Sequence, residues 1–403
     1  MEPLKHQLDL LRRRIARIDA HYAGQAGTGA QAPLPEGKEV ETPAGRHWEF
    51  ERLWPAHFRH GTADVGALSE MPADLLTVLD QAGLWESPVE KWAFLDTETT
   101  GLAGGSGTVA FLVGCGAITS RGFELRQFFM RDHGEEASLL HALEEWLAGF
   151  DVVITYNGKG FDVPLLETRF RMNRRKPCFG RLRHIDLLHS SRRIWRLALE
   201  RCRLQDLESR ILGVERHGDP GGAAIPQLYF DFLYTRNFGP LWPVFTHNAI
   251  DILSLACLTA IVPEAFRDPS RLTNAAEMVG LARWLKSEAK LEESLALMDA
   301  ALDKALPDTL AWETLWHAAD LSRKLGRDSA ALARWTELST APNPFRARAY
   351  ERLAIHYERK EKDPAMALEM TRAARAIEDS PGLLKREQRL AARLAIARPG
   401  RLL

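Results

Sequence analysis

The sequence predicts an α/β fold, a mixed sheet flanked by helices, followed by an all-α helical-repeat region. Three observations predict it. Apolar runs of strand length at 91–97, 108–118 and 122–130 are separated by the turn-rich joints Gly104-Gly105-Ser106-Gly107 and Ser120-Arg121-Gly122. Strands joined so closely pair as an antiparallel meander. Glu135 to Phe150 then carries Leu139, Leu140, Leu143, Trp146 and Leu147 at helical spacing, and leads into the buried-type strand Asp151-Val152-Val153-Ile154-Thr155-Tyr156. A strand reached through a helix makes the sheet mixed. From about residue 270 onward the pattern is helical throughout.

At 403 residues the chain has room for two or three domains. Its 45% hydrophobic and 27% charged content is that of an ordinary soluble protein. A net charge of −1 gives no global field to steer a charged partner, so any such field must come from local segregation. Cys115, Cys178, Cys202 and Cys257 are scattered without a C-x-x-C pair, which excludes a zinc ribbon or disulfide framework and fits a reducing compartment. Arg12-Arg13-Arg14 interrupts any signal-peptide core, and the longest apolar run, Ile252 to Val262, is too short and too polar to span a bilayer. A cytoplasmic protein with no membrane partner is expected.

Taken in order, Leu4, Leu8, Leu11, Ile15 and Ile18 mark an amphipathic helix with a heptad seam at 1–22. Residues 23–45 turn to Gly, Ala, Gln and Pro and read as a flexible linker. The α/β domain is expected over 46–268, entered through a strand at Trp48-Glu49-Phe50-Glu51-Arg52-Leu53-Trp54-Pro55. The glycine cluster at 104–107 opens no helix and so is a turn, not a dinucleotide fingerprint. Between Glu167 and Arg203, twelve Arg or Lys face three acids, a local charge of +9 that leaves −10 for the rest. Arg169, Arg171, Arg174 and Arg175 stand there among Phe170, Phe179, His184 and Trp195; they read as a phosphate-backbone surface or as a solvated helix face. Over 270–403, Leu295, Leu332 and Leu368 recur in similar settings 37 and 36 residues apart, each after a charged turn. Helix–turn–helix units of that period resemble tetratricopeptide repeats; a plain helical bundle is the alternative.

Chemistry concentrates in three blocks. In Trp92-Ala93-Phe94-Leu95-Asp96-Thr97-Glu98-Thr99, side chains two apart on a strand share a face, so Asp96 and Glu98 converge. Close carboxylates repel unless a cation separates them, and hard oxygens suit Mg²⁺ or Mn²⁺; the other reading is a solvated pair at a strand end. In Asn157-Gly158-Lys159-Gly160-Phe161-Asp162 the strand ends, the glycines turn the chain, and Asp162 stands at a helix entry. In His247-Asn248-Ala249-Ile250-Asp251, the His and the Asp lie one helical turn apart on one face.

Together these blocks resemble the three motifs of the DEDD group of ribonuclease H-like 3′–5′ exonucleases. The resemblance is closer to its YprB-like bacterial branch, through Asp96 to Leu102, Gly104 to Thr108, Arg126-Gln127-Phe128-Phe129, Asn157 to Leu166, His184 to Leu188 and His247 to Asp251. It covers roughly residues 46 to 265 and implies a ribonuclease H-like mixed sheet. It also implies a two-metal phosphodiesterase in which Asp96, Glu98, Asp162 and Asp251 hold two Mg²⁺ or Mn²⁺ ions, one activating water and one stabilising the leaving oxygen. Thr97, Thr99, Asn157, Lys159 and Phe161, beside those acids, are expected to meet a DNA or RNA substrate. The group's third block carries a Tyr or, one residue further from the Asp, a His; this chain has His at the Tyr spacing, so His247 either takes part in the chemistry or orients a ligand. The resemblance favours a 3′–5′ exonuclease on single-stranded ends. A structure-selective endonuclease on the same fold is an alternative, as is a scaffold whose repeats bind a protein partner beside a vestigial nuclease domain.

Overall fold

The computed structural model describes residues 37–79, 87–101 and 107–397. The helix expected at 1–22, most of the linker at 23–45 and the glycine turn from Gly104 to Ser106 lie outside the described residues. The backbone forms two compact units. One runs to Ser190 and resumes over Cys202–Glu264; the other joins Ser191–Arg201 to everything from Ala265 onward. The units divide between Glu264 and Ala265, and the short segment Ser191–Arg201 crosses that division.

The first unit is built on a seven-stranded sheet. Strands β1 (Lys38–Thr42) and β2 (Gly45–Trp54) precede a small separate hairpin, β3 (Arg59–His60) and β4 (Ala63–Asp64). The meander follows as β5 (Trp92–Thr99), β6 (Ala110–Thr119) and β7 (Gly122–Phe129), and then β8 (Val152–Thr155) and β9 (Arg183–Asp186). The sheet order is β1-β2-β7-β6-β5-β8-β9. The meander and β2 pair antiparallel, whereas β8 and β9 run parallel to β5 and to each other, so the sheet is mixed as expected. Residues 38–45, expected as linker, are a correction. Lys38–Thr42 pairs residue by residue with β2, from Lys38 opposite Glu49 to Thr42 opposite Gly45. Polar side chains suit this exposed edge strand, and hide it from a reading based on apolar alternation.

Helices cover the sheet: α1 (Glu136–Leu147), α2 (Asp162–Met172), α3 (Leu187–Trp195), α4 (Ile225–Thr235) and α5 (Trp242–Arg267). By length and composition α5 could cross a bilayer, but 83% of its most apolar window is buried inside the protein. It lies on β6 where two glycines clear its path. A Cβ at Gly114 would stand 2.1 Å from Asn248 Oδ1, and one at Gly116 would stand 2.5 Å from Ile252 Cγ2. Edge-on contacts of Phe245 with Phe50 (4.7 Å) and Phe129 (5.0 Å) hold the start of α5 to the sheet. Each such pair adds about 0.5–1.5 kcal/mol beyond the area it buries.

A buried polar cluster joins β2 to α1. His47 Nδ1 lies 2.9 Å from Ser138 Oγ and His47 Nε2 lies 3.1 Å from Glu49 Oε1, with all three side chains sealed from solvent. Ser138 Oγ is also 2.9 Å from Thr42 Oγ1 of β1, so the cluster satisfies buried polar atoms across three elements.

The second unit is all-helical: α6 (Ala275–Ser287), α7 (Leu291–Leu302), α8 (Asp308–Lys324), α9 (Asp328–Thr340), α10 (Arg346–His356), α11 (Pro364–Ile377) and α12 (Pro381–Ala397). Each packs on its neighbour in sequence. The Ser191–Arg201 segment belongs here because Gly280 of α6 brings the backbones together; a Cβ there would stand 2.2 Å from the Ile194 carbonyl oxygen.

Candidate active site

β5 delivers the first two carboxylates. Asp96 stands opposite Gly114 of β6, and Glu98, two residues on, is buried. The parallel strand β8 ends beside β5, so the turn after it returns the chain at Asp162, the first residue of α2. Thr97 Oγ1 donates to Asp162 Oδ1 at 2.5 Å. From the covering helix α5 come His247 and Asp251, both buried. His247 Nε2 is 3.8 Å from Glu98 Oε1 and 3.4 Å from Asp251 Oδ2. Glu98, His247 and Asp251 each offer one ligand atom, all within 4.8 Å of one another. Glu98 Oε1 is buried with no hydrogen-bond partner.

Crowding shows in the electrostatics. Burial, and then Asp251 and Asp162, push the Asp96 carboxyl well above its ordinary range. Burial followed by Asp96, Asp251 and Asp162 does the same to Glu98. Asp162 is pushed up to about 6, chiefly by burial, against the pull of the Thr97 hydroxyl. Asp251 rises through burial while Arg216 opposes the rise. Asp96 and Glu98 feel the charges of Asp162 and Asp251 and so share one site with them, and a hard cation would relieve both that repulsion and the orphaned Glu98 oxygen.

Arg216 was not anticipated. It stands alone in a Gly- and Pro-bearing loop with no periodic signal, and its partners are 8 and 35 residues away. Its guanidinium donates through Nε and Nη2 to Glu208, both at 2.6 Å, and Nη2 also reaches Asp251 Oδ1. Glu208 in turn accepts from Ser254 Oγ at 2.7 Å, and Ser254 Oγ lies 2.8 Å from His60 Nε2. Asp219, equally unanticipated, has Oδ1 2.7 Å from His247 Nδ1. Arg216 Nη1 lies 3.0 Å from the same Nδ1, so the guanidinium and the carboxylate compete for it; in the tautomer whose Nδ1–H turns to Asp219, the Nε2 lone pair of His247 faces Glu98 and Asp251.

Comparison with known proteins fits this geometry. Residues 93–262, which contain all four acids, match a family model described as the RNase_H superfamily. Over 357 residues the chain is 30% identical to the uncharacterized protein YprB of Bacillus subtilis (strain 168), covering 85% of this chain and 83% of that one. The chain belongs to the RNase H-like family of YprB. Membership makes it a nuclease-type phosphodiester hydrolase with a nucleic acid substrate.

Against this RNase H-like site, the remaining expected residues divide. Asn157, at φ 65, and Lys159 are exposed in the turn before Asp162, and Phe161 is half-buried beside it. Asp186 of β9 holds that turn by accepting from the backbone N–H of Asn157 (2.7 Å) and of Lys159 (3.1 Å). Thr97 and Thr99 are corrections: one hydroxyl is committed to Asp162, the other donates to the Gly101 carbonyl, and both residues are buried. Two arginines also fail as substrate contacts. Arg169 forms a buried two-pronged pair with Glu136 of α1, and Arg175 binds Glu144 and His141 of the same helix. Both guanidinium groups dock α2 against α1. Arg171, paired with Glu167 among the described residues, and Arg174 are exposed.

Proposed function

We propose that this protein is a 3′–5′ exonuclease acting on single-stranded nucleic acid ends, dependent on two Mg²⁺ or Mn²⁺ ions. The observation that carries the reading is the buried Glu98 Oε1, without a hydrogen-bond partner, inside a cluster of four carboxylates from three separate blocks, of which Asp96 and Glu98 are raised by the charges of the others. Asp96, Glu98, Asp162 and Asp251 would hold the ions, which when bound supply Lewis acidity for the attacking water and the departing oxygen. His247 accepts the proton of that water through Nε2, with Asp219 holding the imidazole in the required tautomer. The water oxygen forms a bond to phosphorus and the P–O3′ bond breaks, leaving a 5′-nucleotide and a chain one residue shorter. Arg216 occupies Asp251 Oδ1 and so turns Oδ2 towards His247 and Glu98. Asn157, Lys159, Phe161, Arg171 and Arg174 are proposed as the substrate path. The helical unit is proposed as a tetratricopeptide-like surface for a protein partner, and the protein as cytoplasmic.

The test is digestion of end-labelled DNA and RNA oligonucleotides, single- and double-stranded, with Mn²⁺ or excess EDTA, and sizing of the products. A ladder shortening from the 3′ end that EDTA abolishes is expected, with Asp96→Ala inactive but folded. Undiminished cleavage in EDTA would sink the metal reading, and internal fragments from a circular or 3′-blocked substrate would replace exonuclease with endonuclease.

A further inference from the structure

Asp96 is held by a chain of amides that begins at a backbone carbonyl. Asp96, Gly114 and Gln127 form one row across β5, β6 and β7, each directly opposite the next. Gly114 leaves the middle of that row empty, and the side chain of Asn248 descends from α5 to fill it. Both amides are buried, Asn248 completely. The Gln127 Nε2 donates to the Phe245 carbonyl at 2.9 Å and to Asn248 Oδ1 at 2.8 Å. A backbone carbonyl only accepts, so it dictates which end of the Gln127 amide faces it. The second N–H of that group then dictates that Asn248 presents its oxygen to Gln127. Its NH₂ is thereby aimed at Asp96, donating to Oδ2 at 2.8 Å and to the main-chain oxygen at 3.4 Å.

We infer that Gln127 and Asn248 are positioning residues that fix the Asp96 carboxylate as a metal ligand, an assignment resting on the metal-dependent reading above. Partners of this kind orient a ligand before the ion arrives, and their loss weakens metal binding without removing any ligand atom. The hydrogen bonds of the Gln127 amide go to the Phe245 carbonyl and to Asn248, so its effect on Asp96 is carried through Asn248.

That dependence supplies the test: Mn²⁺ titrated into the full-length chain, with the free ion read by electron paramagnetic resonance and folding read by thermal melting. Gln127→Met keeps the volume but removes the donor. Gln127→Glu goes further, drawing the Asn248 NH₂ to itself and turning the Asn248 carbonyl against Asp96. A loss of roughly 10-fold to 100-fold in Mn²⁺ affinity is expected, larger for the Glu variant. In an Asn248→Ala background the same changes at Gln127 should alter affinity by less than about twofold, because independent effects add and relayed ones do not. Wild-type affinity in whichever Gln127 variant folds would overturn the relay, as would a loss that persists undiminished without Asn248. A wild-type chain that binds no Mn²⁺ would overturn the metal reading itself, a result distinct from either.

Discussion

Asp162 makes part of the chain's stability depend on pH. Its carboxyl titrates near 3.8 when free and is pushed up to about 6 in the fold, so between those values the folded chain holds a proton that the unfolded chain has released. Its contribution to stability therefore falls as pH rises from about 4 to about 6, and Asp96, Glu98 and Asp251 are shifted in the same direction, whereas His184, pushed down to about 4 by burial, contributes a rise over the same window. The difference between melting curves of the EDTA-treated protein and of Asp162→Asn across this pH range should show that fall, and saturating Mn²⁺, which favours ionised carboxylates, should reverse it. Asp162→Asn should then stabilise the metal-free protein at pH 7 by about 1–3 kcal/mol while abolishing cleavage; an Asn variant that melts earlier than wild type in EDTA would contradict this. Arg216 acts in the opposite sense. Removing it leaves Glu208 and Asp251 buried without their cation, so Arg216→Ala should cost about 3–5 kcal/mol in denaturant unfolding. Arg216→Lys should recover little, because an ammonium cannot reproduce the two-pronged contact with Glu208.

At the level of elements, the arginine-rich stretch separates into two functions. Charge reversal at Lys159, Arg171 and Arg174 should weaken binding to all sequences about equally and flatten its dependence on salt. Arg169→Met should leave that slope unchanged and instead lower the melting temperature, because the buried Glu136 carboxylate loses its guanidinium counter-charge and keeps the neutral Asn173 amide as a donor. Fluorescence titrations at several salt concentrations separate the two outcomes. Sequence spacing could not make this division: Arg169 and Arg171 are two residues apart, and what distinguishes them is a glutamate 33 residues away on α1. The meander, β8 and the Asp96–Glu98 pair were legible because period-two patterning and short turns are local. β9 escaped because four residues, Arg183–Asp186, carry too little pattern to separate from the basic run around them. Arg216 and Asp219 escaped because their roles exist only when the loop meets α5.

For the whole molecule, all four acids and His247 lie in the first unit, so the chemistry should not require the helical one. Ending the chain near Asp268 is nevertheless not a clean cut. It removes Gly280 and Trp284, which Ile194 and Arg193 meet; Ile194 and Trp195 are buried in the full chain, and the Arg193 guanidinium lies 4.9 Å from the Trp284 ring. Such a truncation should retain cleavage of short oligonucleotides per folded molecule but aggregate on storage. Trp195→Gln in the truncated chain should improve its solubility, as size-exclusion chromatography would report. Lost turnover in a monomeric, folded truncation would instead place part of the catalytic machinery in the helical unit.

The His47–Ser138–Glu49 cluster carries a consequence for chemical profiling. Its residue types are those that make a serine reactive in hydrolases, with the two imidazole nitrogens exchanged: Nδ1 meets the serine and Nε2 the carboxylate. Yet no solvent path reaches the Ser138 hydroxyl, and its oxygen is already engaged by Thr42. A fluorophosphonate warhead should leave the native protein unlabelled because the alcohol is walled in. It should leave the denatured protein unlabelled too, because β2 and α1 have parted and no imidazole remains to activate that alcohol.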